Sequence, residues 1–186
     1  MIRLKRQYGA LWELIFYHDI TGGLFNSSTA LCSYNKKLYS IIGMIGDDFM
    51  DGGYFEYLLE YPEVPGYNRW KQKIAIADTT SDQTSTDIGY KKVKIDFDQM
   101  DWGGISRSLR PLETVFDGSP GVITYWYSIG ATSYYKGREQ YPGPLYASGI
   151  DGVNLSLLWI RIPQKLLISY PHKQYFIRNC FSLVPL

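Results

Sequence analysis

Two histidines (His18 and His172), two cysteines (Cys32 and Cys180) and 18 carboxylates are the groups of this chain that could do acid–base, nucleophilic or metal chemistry. A serine hydrolase needs its nucleophile on a tight turn with a histidine in reach, and no Gly-x-Ser-x-Gly string occurs. A cysteine–histidine dyad needs the two to meet in space, and the spacing of these four residues gives it no support. Both histidines read as ordinary turn or surface residues. Glu56 and Glu60 fall on one face of one predicted strand, roughly 13 Å apart at about 3.3 Å per residue. Glycosidases hold their two carboxyl groups about 5–9.5 Å apart, so this pair reads as solvated face residues. A glycosidase is the least favoured function.

Two acidic clusters have the hard oxygen ligands that Ca²⁺ takes: Asp47, Asp48 and Asp51, and Asp96, Asp98 and Asp101. Neither has the glycine and closing glutamate of an EF-hand loop. The expectation is no cofactor, with a structural Ca²⁺ at Asp96, Asp98 and Asp101 as the alternative. Cysteine and histidine spacing offers no zinc site. The glycine pairs at 22–23, 52–53 and 103–104 lack the lysine and the strand–helix setting of a phosphate loop.

Aromatic residues carry more signal. The chain has 17 Tyr, 5 Trp and 8 Phe. Tyr67, Trp70, Trp102, Tyr125, Trp126, Tyr127, Tyr134, Tyr135, Tyr141 and Tyr146 crowd predicted loops and the strands beside them. Flat rings near Asp, Asn and Arg can stack sugars or anchor a protein interface, where Tyr, Trp and Arg are enriched. The expected ligand or interface contacts are Tyr67, Trp102, Arg107, Tyr134, Tyr135, Arg138 and Tyr141. Trp70 and Trp126, on strands, read as core.

Strands must position these residues. Residues 11–17 alternate, with Trp12, Leu14 and Phe16 on one face. Residues 54–61 alternate again, with Phe55, Tyr57, Leu59 and Tyr61 opposite Glu56 and Glu60. Residues 70–77 place Trp70, Ile74 and Ile76 together. Residues 90–97 put Val93, Ile95 and Phe97 inward and Lys92, Lys94 and Asp96 outward. Residues 122–129 and 153–162 complete the set. Leu38, Ile41, Ile42 and Ile45 fit one stripe of a short helix. Residues 98–121 and 130–152 read as long loops, of the kind that usually carry function. Turn signals, not helical crossovers, separate the strands. The fold class is therefore all-β with one short helix, as an antiparallel β-sandwich or jelly roll. The expected division is an N-terminal extension at 1–10, the sandwich at 11–162 and an apolar tail at 163–186.

With 186 residues, 45% hydrophobic and 20% charged, the chain can bury a core, and its net charge of +1 argues against nucleic acid or an anionic membrane as partner. The 19 Lys and Arg are mostly scattered; the exceptions are Arg3, Lys5 and Arg6, and Lys91, Lys92 and Lys94. No apolar run approaches the roughly 20 residues of a membrane span, and no signal peptide is read at the start. Two free buried thiols are the plainer reading of the cysteines; one bridge is the alternative in an oxidising compartment.

Trp12-Glu13-Leu14-Ile15-Phe16-Tyr17, Asn68-Arg69-Trp70-Lys71-Gln72, Asp117-Gly118-Ser119, Tyr127-Ser128-Ile129-Gly130 and Pro142-Gly143-Pro144 together resemble the lectin-like β-sandwich modules of surface, secreted or virion proteins. The resemblance spans residues 11–162. It implies a non-catalytic role in recognition or assembly at a virion or cell surface, and it supplies no binding residues. The resulting expectation is an oligomeric structural subunit of a larger particle, with protein neighbours as partners. A carbohydrate-binding module, with glycans as partners, is the alternative.

Overall fold

A computed structural model describes residues 4–23, 25, 29–97, 102–108, 115–121, 127–129, 143–144 and 153–167. Among these residues the strands are β1 (Leu4–Gln7), β2 (Ala10–Asp19), β3 (Ser33–Tyr34), β4 (Leu38–Ser40), β5 (Phe55–Glu60), β6 (Asn68–Gln72), β7 (Lys91–Ile95), β8 (Ser106–Arg107), β9 (Phe116–Asp117), β10 (Tyr127–Ile129), β11 (Gly143–Pro144) and β12 (Leu155–Arg161). One short helix, α1 (Gln164–Leu167), follows β12. Every described strand pairing is antiparallel. An eight-stranded sheet runs β3-β4-β2-β12-β5-β6-β7, with β1 paired to β2; a four-stranded sheet runs β11-β10-β9-β8. The all-β antiparallel expectation holds.

The core lies between the two sheets. Alternation in β5 sends Phe55, Tyr57 and Leu59 inward, and Tyr61 continues the row. They join Trp70 and Ile95 from the large sheet and Phe116 and Ile129 from the small one. Phe16 meets Phe116 edge-on across the interface, with ring centroids 6.1 Å apart. Each fully buried side chain of this size contributes about 1.5–3 kcal/mol by leaving water.

Two bulges change which residues face inward. In β2, Phe16 pairs with Leu158 but Leu14 pairs with Trp159, so Ile15 is an extra residue. Ile15 and Phe16 both reach the core, while Trp12 and Leu14 point to the other side. The expected single face of Trp12, Leu14 and Phe16 is thereby split. In β7, Lys94 pairs with Arg69 and Lys92 with Trp70, which leaves Val93 over. Val93 is 43% exposed instead of inward, while Ile95 and Phe97 are buried as expected.

The short helix stands elsewhere than the apolar stripe indicated. Leu38 to Ser40 form β4, and Ile42 to Met44 make a single 3-10 turn. Sheet pairing and loop contacts take the backbone groups a helix would need: Ile41 N–H donates to Ile15 carbonyl and Gly43 N–H to Leu31 carbonyl. Three isoleucines and two glycines in eight residues also weaken a helix. The strand expected over 70–77 ends at Gln72 because the chain leaves the sheet there. The Gln72 amide then donates to the carbonyls of Ile74 and Ile105.

Described residues on either side of the expected sandwich boundaries pack with it. Leu4 to Gln7 pair with Glu13 to Ala10, so the N-terminal segment is a strand of the sheet. At the other end, Leu166 of α1 is buried in the core. Cys32, half-buried before β3, is disulfide-bonded, so the free-thiol expectation fails for it. The sequence has one other cysteine, Cys180, which lies outside the described residues.

Candidate functional site

The side of the large sheet turned away from the small sheet carries a second, smaller apolar layer with polar side chains and tyrosines around it. Register assigns it Trp12, Leu14 and Tyr17 from β2, Leu157, Trp159 and Arg161 from β12, and Glu56, Leu58 and Glu60 from β5. Arg69 and Lys71 from β6 lie on the same side, opposite Leu58 and Glu56. Trp12, Leu14, Leu58 and Trp159 form a second, smaller apolar cluster there.

The β1–β2 hairpin lies across this outer face. The Trp12 indole N–H donates to the Gln7 carbonyl at 2.9 Å. The Lys5 ammonium bonds the Glu60 carboxylate and stands 4.3 Å over the Trp159 ring. Burial holds the Lys5 amine below its ordinary pKa, against the opposing pull of Glu60. At the hairpin tip, Tyr8 and Gly9 both take positive φ, 51° and 72°. Two such residues in succession suit the twist of a two-residue hairpin, where Asn-Gly is the usual pair. A tyrosine in this region costs about 1 kcal/mol or more. That conformation sets the Tyr8 ring 4.4 Å from Tyr67, stacked at 30°.

Tyr67 is fixed from below. Its N–H donates to Asp96 Oδ2 at 2.9 Å, and Lys94 stands 4.1 Å over its ring. Gly66 precedes it at φ 118°, where a Cβ would lie 2.9 Å from the Asp96 Cβ, so only glycine admits this approach. Loss of water, then the hydrogen bond to Tyr67, push the Tyr8 phenol up to about 12, which leaves it neutral at physiological pH.

Beside this pair lies a compact ion cluster. Glu56, 4% exposed, accepts from Arg69 at 2.5–2.6 Å and from Arg161 at 3.0 Å, with Lys71 at 3.7 Å. Arg161 also reaches Asp51 at 3.2 Å. One buried carboxylate thus answers three cations. The Glu56→Gln variant is expected to lose about 2 kcal/mol of stability, because it strips that charge from a site its partners cannot fully leave. Screening of the partners, whose side chains keep 22–36% of their surface, holds the figure below that of a fully buried pair. A urea midpoint unchanged from wild type would contradict this.

The expected contacts fall into three groups. Tyr67 is on the outer face, as described. Trp102 is 7% exposed and packs edge-on against Trp70 at 5.0 Å, so it lines the core instead of offering a loop surface. Arg107 ends β8 and is exposed, but its guanidinium donates to the Ala77 carbonyl and its N–H to Thr79 Oγ1, tying the small sheet to the turn after β6. Tyr134, Tyr135, Arg138 and Tyr141 lie outside the described residues. Of the expected calcium ligands, Asp96 serves Tyr67 and Lys94, and Asp98 and Asp101 lie outside the described residues. Among the described residues no three His, Cys, Asp or Glu side chains gather as a metal site would require.

Tyr8, Tyr54, Arg69, Lys71 and Lys73 were not singled out from the sequence as contact residues, apart from Arg69 and Lys71 within a quoted string. A Tyr-Gly pair between Gln7 and Ala10 was the available signal for the hairpin. No family model, no curated protein and no solved structure matches the chain.

Proposed function

We propose that this chain is a non-catalytic β-sandwich subunit that works by assembly, within a larger particle such as a virion or a surface layer. One observation carries the reading: around the closed cluster of Trp12, Leu14, Leu58 and Trp159, the outer face has a rim of tyrosines that its own domain leaves partly open. Tyr8 is 40% exposed, and Tyr17, Tyr39 and Tyr67 are half-buried. Rigid amphipathic rings of this kind become interface anchors at little cost in conformational entropy. The Cys32 disulfide supports a virion or cell-surface location, since such bonds persist in oxidising compartments.

Hydrogen exchange of the full chain at dilute and at high concentration tests this. The reading expects new protection over residues 4–10 and 67–72 as concentration rises. Exchange that is independent of concentration and of any co-purifying neighbour would count against it.

A second reading, carbohydrate recognition, is favoured by the stacked Tyr8 and Tyr67 with Lys94 and Asp96 alongside. Rings bordered by hydrogen-bonding groups of both signs suit a sugar. Titration with neutral oligosaccharides, followed by tryptophan and tyrosine fluorescence, separates it from assembly.

A further inference from the structure

The pairing of β6 with β7 gathers basic residues that are scattered in the sequence. Arg69 stands opposite Lys94, and Lys71 opposite Lys91. Like charges directly across an antiparallel ladder destabilise it, and here two such pairs follow one another. Lys73, just past β6, extends the row: its ammonium and that of Lys91 both stand over the Tyr54 ring, at 5.8 and 4.3 Å. Among the described residues, the acids paired with these five cations are Glu56, which is shared with Arg161, and Asp96 beside Lys94. A local excess of positive charge therefore sits on a chain whose net charge is only +1.

Edge protection explains part of this arrangement. Lysines on an exposed edge strand discourage pairing with another chain, and among the described residues nothing pairs with the outer edge of β7. Arg69 and Lys71, on an inner strand, are held by Glu56, which they share with Arg161, and edge protection does not explain Lys73, which lies beyond the strand. It also leaves the tyrosine floor unexplained. Tyr54 and Tyr67 hold three of the ammonium groups in place by cation–π contact, so less side-chain entropy is lost when an anion docks.

We infer that the β6–β7 strip, with Arg69, Lys71, Lys73, Lys91 and Lys94 over Tyr54 and Tyr67, binds a sulfated, polyanionic glycan. This deepens the carbohydrate reading and does not depend on assembly. The ligand is recognised by its charge. Tyr67 has Lys94 over its ring and Tyr8 stacked against it, and Tyr54 lies under two ammonium groups, so neither presents the open face on which nucleic-acid bases stack. The Cys32 disulfide also favours an oxidising compartment, where sulfated glycans are the abundant polyanions.

The test uses the full chain and heparin as probe, with affinity measured over a range of salt concentrations. A K91Q/K94Q variant removes two exposed charges from the strip; a K36Q/K165Q variant removes two exposed charges elsewhere. The strip variant is expected to bind heparin roughly tenfold more weakly, with the slope of log affinity against log salt reduced by about two. The control variant should bind as wild type does. Equal losses in both variants, or none in the strip variant, would overturn the inference. So would tighter binding of a single-stranded oligonucleotide than of heparin at the same salt. Equal binding of desulfated and native heparin would overturn the charge-based site while leaving carbohydrate recognition standing. Absence of binding to either form and to neutral oligosaccharides would remove both. Thermal melts of each variant keep loss of binding separate from loss of fold.

Discussion

Replacement of Trp70 by alanine is expected to cost about 3–5 kcal/mol. Trp70 is fully buried in the middle of β6. Its ring lies 5.5 Å from Tyr57 and 5.0 Å from Trp102, so truncation opens a cavity against two other large aromatics. Its indole N–H donates to Gln72 Oε1 at 2.9 Å, a bond that is also lost. Gln72 keeps the Ile105 N–H as a donor to the same oxygen, which limits the polar part of the penalty. Domains of this size are stable by only about 5–15 kcal/mol, so the variant will unfold at much lower urea concentration or express poorly. Tyr67→Ser, on the outer face, should change the urea midpoint by less than a quarter as much. A small loss at Trp70 would contradict the assignment of the core to this side of the sheet.

The second large effect is a pH dependence centred on Asp117. This carboxyl lies in β9 between Ser106 of β8 and Ser128 of β10 in the ladder, and it is almost wholly buried. Burial pushes its pKa up to about 7, although the N–H groups of Ser119 and Gly118 pull the other way. The folded chain therefore binds a proton more tightly than the unfolded chain does. The stabilisation is fully present below the unfolded value of about 3.9 and is lost as pH rises through about 7. A shift of this size is worth roughly 4 kcal/mol between those limits. The Asp117→Asn variant, which stays neutral, should be more stable than wild type at pH 8 and nearly equal to it at pH 4. Parallel urea titrations at the two pH values check this; an equal difference at both would contradict it. His18 acts with the opposite sign. Burial lowers its pKa, so its contribution is present above about 6.5 and fades as pH falls below that. Comparison of the two proteins cancels the histidine.

Much of the fold was legible because alternation is a strong signal where one face is buried. Phe55, Tyr57, Leu59 and Tyr61 show it plainly, and β5 lies where they indicated. Bulges were not legible. The extra residue at Ile15 or at Val93 depends on the partner strand, and nothing in the local sequence marks it. The apolar stripe at Leu38, Ile41, Ile42 and Ile45 was ambiguous for a related reason. The same four residues reach the core from a strand followed by a 3-10 turn.

The contact surface was less legible than the fold. Loop position suggested exposure for Trp102, but the loop folds back onto Trp70 and buries it. Only the Lys91, Lys92 and Lys94 half of the basic strip was legible, because residues 69–73 meet it through the β6–β7 ladder alone. Tyr8 gave no hint of its role, since a tyrosine is not the residue that a tight hairpin turn leads one to expect.

Assembly is proposed to run through the tyrosine rim of the outer face, at Tyr8 and Tyr67. Light scattering of the full chain beside a Tyr8→Ser/Tyr67→Ser variant tests it most directly. Wild type is expected to show a mass several times the 21.4 kDa of one chain, falling toward 21.4 kDa for the variant while its thermal melt stays close to wild type. A wild-type mass of one chain, or an assembly that the two substitutions leave unchanged, would contradict it.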